Sequence, residues 1–169
     1  MKLASFESLA TALEAAGVRY LVAGGLAVGA HGYLRFTKDV DIVVQLIPNN
    51  IERTFTALAS LGYQPIVPIT MKQFSNSELR QSWVRDKGMQ VLQFWSDAHR
   101  DTSVDVFVTE PFAFNEEYAR ALIAPLHDKL SIRFVSLATL IRMKEEANRP
   151  QDRADIEQLR ARRDNDANG

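Results

Sequence analysis

The sequence predicts an α+β fold, a mixed β-sheet with helices mainly on one face, and three observations predict it. Apolar residues recur at helical spacing in some segments, while short β-branched runs bounded by Gly, Pro or Asp occupy others, in no regular alternation. The 169 residues, 46% of them apolar, suffice for one core and leave little room for a second. There is no internal repeat, heptad run or domain-length linker. Residues 1–162 therefore read as one domain, and 163–169 as a frayed C-terminal tail.

Leu3, Phe6, Leu9, Ala10, Leu13 and Ala16 form the stripe of a first helix, which Gly17 stops. Residues 18–23 read as a strand ending at Gly24-Gly25, followed by a short helix of small residues over 26–30. A polar link, 33–38, leads to a buried strand over 39–46 that begins with two carboxylates. Pro48 opens a third helix, whose inward stripe includes Ile51, Phe55 and Leu58, and Gly62 closes it.

The segment 65–79, rich in Pro, Ser, Gln and Asn, reads as a long irregular excursion. Residues 82–85 and 90–95 flank Asp86-Lys87-Gly88 and read as a hairpin. Residues 103–109 form a strand with Asp105 inside it, and weaker strands are expected at 120–124 and 131–134. Ser136 caps a helix over 137–147, and Pro150 opens a last one.

Composition narrows the function classes. Twenty Lys plus Arg against twenty-one Asp plus Glu leave a net charge of −1, so no overall field draws the chain to nucleic acid or anionic lipid. Without Cys there is no disulfide framework, thiolate metal site or cysteine nucleophile, and metal chemistry falls to carboxylates and three His. The uncharged run 20–34 contains four Gly and is shorter than the roughly 20 residues a membrane span needs. Acidic Glu7 and Glu14 near the start do not resemble a signal peptide, so the expected location is the cytoplasm, without a membrane partner.

Two acids two residues apart on a strand share a face, which places Asp39 and Asp41 about 6–7 Å apart along the backbone. Asp105 joins them if its strand is a neighbour. Three convergent carboxylates repel one another unless a cation lies among them, and all-oxygen ligands favour Mg²⁺ or Mn²⁺. Gly24-Gly25 permits a tight turn whose backbone N–H groups attract phosphate. A metal-dependent site for a phosphate-bearing substrate follows.

With Arg35 and Thr37 between the glycine pair and Asp39-Val40-Asp41, and Asp105 on a later strand, the chain resembles the nucleotidyltransferase superfamily that includes DNA polymerase beta. More narrowly it is similar to small bacterial members of the abortive-infection, toxin–antitoxin and antibiotic nucleotidyltransferase groups. The resemblance spans about 18–44, returns at 104–108 and continues loosely to the end. It implies a minimal αβαβ nucleotidyltransferase core in which Gly24 and Gly25 hold the triphosphate. Asp39 and Asp41 would ligate both metal ions, and Asp105 would ligate the catalytic metal and act as or position the base. The implied reaction moves a nucleoside monophosphate from an NTP to a hydroxyl of RNA, such as tRNA, of protein or of a small molecule, releasing pyrophosphate. A defence or toxin–antitoxin setting would add a cognate antitoxin as partner. The alternatives are a non-catalytic member that binds nucleotide or a partner, and a phosphatase with Asp39 as nucleophile, for which the glycine pair has no use.

Arg35 and Thr37 read either as a triphosphate clamp with an orienting hydroxyl or as a solvated Arg and a strand-edge Thr. Lys144 shares the stripe of Leu137, Leu140 and Ile141, and an inward Lys near a phosphate site binds substrate, although Lys also snorkels. Asp152 and Asp155 read as carboxylates favoured by a helix N-terminus, with pairing to Lys144 or Arg149 as the alternative. His31, His99 and His127 lack partners at metal-binding spacing. Trp83, Phe94 and Trp95 read as core, and the C-terminal arginines, interleaved with acids, as a solvated face.

Overall fold

The computed structural model describes residues 1–167. Its elements are α1 (Leu3–Ala15), β1 (Tyr20–Val22), α2 (Gly24–Ala30), β2 (Asp39–Val44), α3 (Pro48–Ser60), β3 (Gln64–Pro65), α4 (Met71–Ser75) and α5 (Ser77–Lys87). There follow β4 (Val91–Trp95), a single 3₁₀ turn at Asp97–His99, β5 (Ser103–Phe107), α6 (Phe114–Arg120), β6 (Leu122–His127), β7 (Leu130–Phe134), α7 (Leu137–Ala147) and α8 (Pro150–Ala167). The strands form one mixed sheet in the order β3-β4-β5-β2-β1-β7-β6. The pairs β2–β5 and β1–β7 are parallel, and the others antiparallel.

Alternation along the central strands sorts the two faces. Val40, Ile42, Val104, Val106, Leu92 and Phe94 are buried in one cluster with Phe6, Leu9 and Leu13 of α1 and Ile51 and Leu58 of α3. Phe55 of α3 sits 5.4 Å from the ring of Phe74 in α4 and 5.3 Å from that of Phe94, so α4 joins α3 on this side. Residues of the opposite face, Asp39, Asp41, Gln93, Ser103 and Asp105, are only half-buried. A dry face fixes the register, and a wetter face carries the acids.

The expected elements at 3–16, 48–60, 137–147 and the central strands are present, and the α+β class holds. Two expectations fail in the middle of the chain. Residues 71–87 form two helices instead of an excursion and the first strand of a hairpin. Thr70 and Gln73 make a reciprocal capping box, and the Asn76 side chain accepts from Leu79 N–H to start α5. Gly88, at φ +61°, is the left-handed C-cap of α5 and not a hairpin turn. The helix α6 had no counterpart in the sequence reading. Its Glu117, fully buried, accepts from Ser136 N–H at 2.6 Å, the Thr139 hydroxyl at 2.8 Å and Arg120 Nε at 2.6 Å, and so anchors the start of α7. The helix α8 continues through Ala167, so residues 163–167 of the expected tail are helical, and 168–169 lie outside the described residues. No described helix is long and apolar enough to cross a membrane.

Candidate active site

The parallel register of β2 and β5 sets Asp39 beside Ser103 and Asp41 beside Asp105. Neighbouring strands lie about 4.8 Å apart, so the later acid stands next to the first two on the same face. Asp39 Oδ1 accepts a short hydrogen bond from the Ser103 hydroxyl, a residue the sequence reading did not single out. Only its register on β5 reveals it.

The electrostatics show too little positive charge for three acids. Burial, then the charges of Asp105 and Asp39, push Asp41 up to about 6, while Lys144 and Arg149 pull it down. Burial and then Asp39 raise Asp105, against a lowering by Gln93, its partner in register on β4. Asp105 Oδ1 is buried with no hydrogen-bond partner. Among the described residues no three His, Asp or Glu side chains converge closely enough to hold a metal ion as they stand. The donor set is nevertheless all oxygen, two of its acids resist ionisation, and one buried oxygen is left unsatisfied. A hard divalent cation is the group these residues fit.

The glycine pair abuts the acids. Ala23 N–H donates to Asp41 O at 2.9 Å, which brings the start of α2 against β2. Gly24 has φ +61°, and a Cβ there would lie 2.0 Å from Asp41 Oδ2; one on Gly25 would lie 2.9 Å from Thr37 Oγ1 and 3.3 Å from Arg35 Nη1. Both positions need the missing side chain for space, and Gly24 also for its backbone angle. The Thr37 hydroxyl donates to Asp39 O at 3.3 Å. Gly24, Gly25, Thr37 and Arg35 thus stand together beside the acids.

Arg35 and Lys144 are not free cations. Arg35 donates from Nε and Nη2 to the two oxygens of Asp155 at 2.8 and 2.9 Å, and from Nη1 to Phe36 O at 3.1 Å. Lys144 Nζ is buried 2.8 Å from Asp155 and 3.2 Å from Asp152, and Arg149 Nε lies 2.7 Å from Asp152. Asp152 and Asp155 are themselves buried and pair with these cations, and Asp152 also accepts from Arg149 N–H at 3.1 Å at the start of α8. For Asp155 burial alone would raise the pKa, but the hydrogen bonds from Arg35, Lys144 and Gln151 outweigh it and hold the carboxyl below its usual range.

The remaining candidates fall outside the site. His31 Nε2 pairs with Val135 O at 2.8 Å, and His99 pairs with Ser5 Oγ at 2.9 Å and stacks on Tyr63. Phe94 is core, whereas Trp95, at the end of β4, is 43% exposed and does not fit the core reading.

No family model and no curated protein matches the chain. Among solved structures it is similar to the antibiotic-resistance factor ANT(2″)-Ia in complex with adenylyl-2″-tobramycin, with a TM-score of 0.56 at 12% identity over 93% of this chain and 86% of that one. A solution structure of the same factor gives 0.56 at 14% identity, over 94% and 80%. The lincosamide antibiotic adenylyltransferase LnuA, lincomycin-bound, gives 0.55 at 13% identity, over 88% and 89%. At such identities the likeness establishes the fold.

Proposed function

We propose, from the nucleotidyltransferase fold that the chain shares with these structures, that it is a divalent-metal-dependent nucleotidyltransferase moving a nucleoside monophosphate from an NTP to an acceptor hydroxyl. The observation that carries this reading is the in-register pairing of Asp41 with Asp105 directly against Gly24. Asp39, Asp41 and Asp105 would hold Mg²⁺ or Mn²⁺, which when bound neutralises the triphosphate and the charge that develops at the reacting oxygens. The Gly24-Gly25 backbone approaches the phosphates where no side chain fits, and Thr37 and the free edge of Arg35 stand beside it. Asp105, with an unpartnered oxygen, takes the proton of the acceptor hydroxyl as its oxygen attacks the α-phosphorus, and pyrophosphate leaves. Lys144, buried between Asp152 and Asp155, contributes to substrate binding through its charge, which favours ionised Asp41.

The acceptor is read beyond the acids. Two of the structures named above carry antibiotic ligands, which makes a hydroxyl of such a small molecule the first acceptor class to test. tRNA, and protein supplied by the extract, are further arms of the same assay. Incubation with each α-labelled NTP, Mg²⁺ and in turn aminoglycosides, lincosamides, tRNA and cell extract is expected to label one acceptor and release pyrophosphate. Binding of NTP without labelling in any arm would refute transfer and favour the non-catalytic nucleotide-binding alternative.

A further inference from the structure

Asp155 is a fully buried carboxylate that the reaction as described does not use. A carboxylate offers about four acceptor positions, and here all are taken. Oδ1 accepts from Arg35 Nε at 2.8 Å and Gln151 Nε2 at 3.0 Å, while Oδ2 receives Arg35 Nη2 at 2.9 Å and Lys144 Nζ at 2.8 Å. A staple serving only α7 and α8 would need Lys144 and Gln151 alone. Half of the capacity of Asp155 is instead given to a residue 120 positions earlier, on the loop between α2 and β2.

Leu34 and Phe36, on either side of Arg35, are 86% and 74% exposed and give its side chain no packing. An unrestrained Arg would sample many rotamers. Held by its Nε–Nη2 edge, the guanidinium instead keeps Nη1 close to Gly25, 3.3 Å from where a Cβ would stand. Of the two Nη1 hydrogens, one goes to Phe36 O and the other has no partner among the described residues. A donor fixed in advance binds an anion without first losing its own freedom.

We propose that Asp155 is a positioning residue of the nucleotide site: it grips Arg35 by one edge so that the opposite edge is presented at Gly25 to a phosphate of the bound NTP. Arg35 first, and then Lys144 and Gln151, keep the buried Asp155 an anion. Arg35 is thus a strut and a clamp at once, and the last helix is tied to the glycine pair. The inference rests on the nucleotidyltransferase reading.

The test measures ATP and GTP affinity by calorimetry in Mg²⁺, with circular dichroism and thermal melts, for the wild-type chain, Arg35→Lys, Asp155→Asn and the double variant. Lys keeps the charge at 35 but cannot span both Asp155 oxygens. Each single variant is expected to weaken NTP binding about tenfold, the scale of one charge-assisted contact, and the double variant to bind no worse than the weaker single one. If Asp155→Asn does not fold, Asp155→Glu, which keeps the anion but moves it by a methylene, takes its place with the same expectation. A purely structural staple would lower the melting temperature of the Asp155 variants and leave NTP affinity at the wild-type value; that result, or losses that multiply in the double variant, would overturn the proposal. Absence of NTP binding by the wild-type chain would instead remove the functional reading, and the inference with it.

Discussion

Asp41→Asn is expected to lower nucleotide transfer by about a hundredfold to a thousandfold, the scale on which removal of one preorganised charge-stabilising group is felt, while making the metal-free protein more stable. The two effects have one cause. Asp41 stands beside Asp105 in the parallel register, and burial with two neighbouring acids holds its midpoint near 6. For a carboxyl whose folded pKa lies above its unfolded value of 3.8, the unfolded chain ionises first. The folded state therefore loses stability as pH rises between those two values and carries the whole penalty above about 6. Keeping such a group ionised at pH 8 costs on the order of 3 kcal/mol, and Asn removes that cost together with a proposed metal ligand. Thermal melts of wild-type and variant protein in chelator at pH 8, beside transfer rates in Mg²⁺, check both halves. A variant that loses activity and stability together would point to a structural role for Asp41.

Gly24→Ala is expected to cost nearly as much activity, although it removes no functional group. Its Cβ would fall 2.0 Å from Asp41 Oδ2 and 2.6 Å from Cγ, so the carboxylate must leave its rotamer and with it the ligand cluster. The backbone angle of φ +61° adds a further cost for any residue with a Cβ. A stability loss of about 1–3 kcal/mol is expected, small enough for a folded protein. Gly17→Ala is the control, since φ is +68° there and no atom lies within 4 Å of the added methyl. It is expected to share the backbone cost and keep full transfer activity. Equal activity in the two variants would show that Gly24 is required for its turn alone and not for its closeness to Asp41.

These results depend on features that differ in how visible they are in the sequence. The acids and the glycine pair are legible because strand alternation and a Gly-Gly turn are local rules, needing only that β2 and β5 become neighbours. Lys144 is legible as an anomaly, a charge on an apolar stripe. Its partners are harder to see, since Asp152 and Asp155 at a helix start satisfy the dipole explanation without any tertiary contact. Only the approach of α8 to Arg35, 120 residues away from Asp155, shows where these acids go. The failure at 71–87 is of another kind, because its signals are local. Thr70 and Gln73, Asn76 before Glu78, and Arg85 and Lys87 before Gly88 are helix start and stop signals, outweighed in the sequence reading by the polar composition and by Asp86-Lys87-Gly88 as a turn. Ser103 has no signal at all until the register of β5 against β2 is known.

The most direct test of the account is a titration of Mn²⁺ into the protein in the presence of a non-hydrolysable NTP analogue, followed by electron paramagnetic resonance, for the wild-type chain and for Asp39→Asn, Asp41→Asn and Asp105→Asn. The account predicts wild-type binding that strengthens as pH is raised through about 6, where Asp41 sheds its proton, and that weakens in each of the three variants. Mn²⁺ bound with equal affinity by all four proteins, or by none of them, would contradict it.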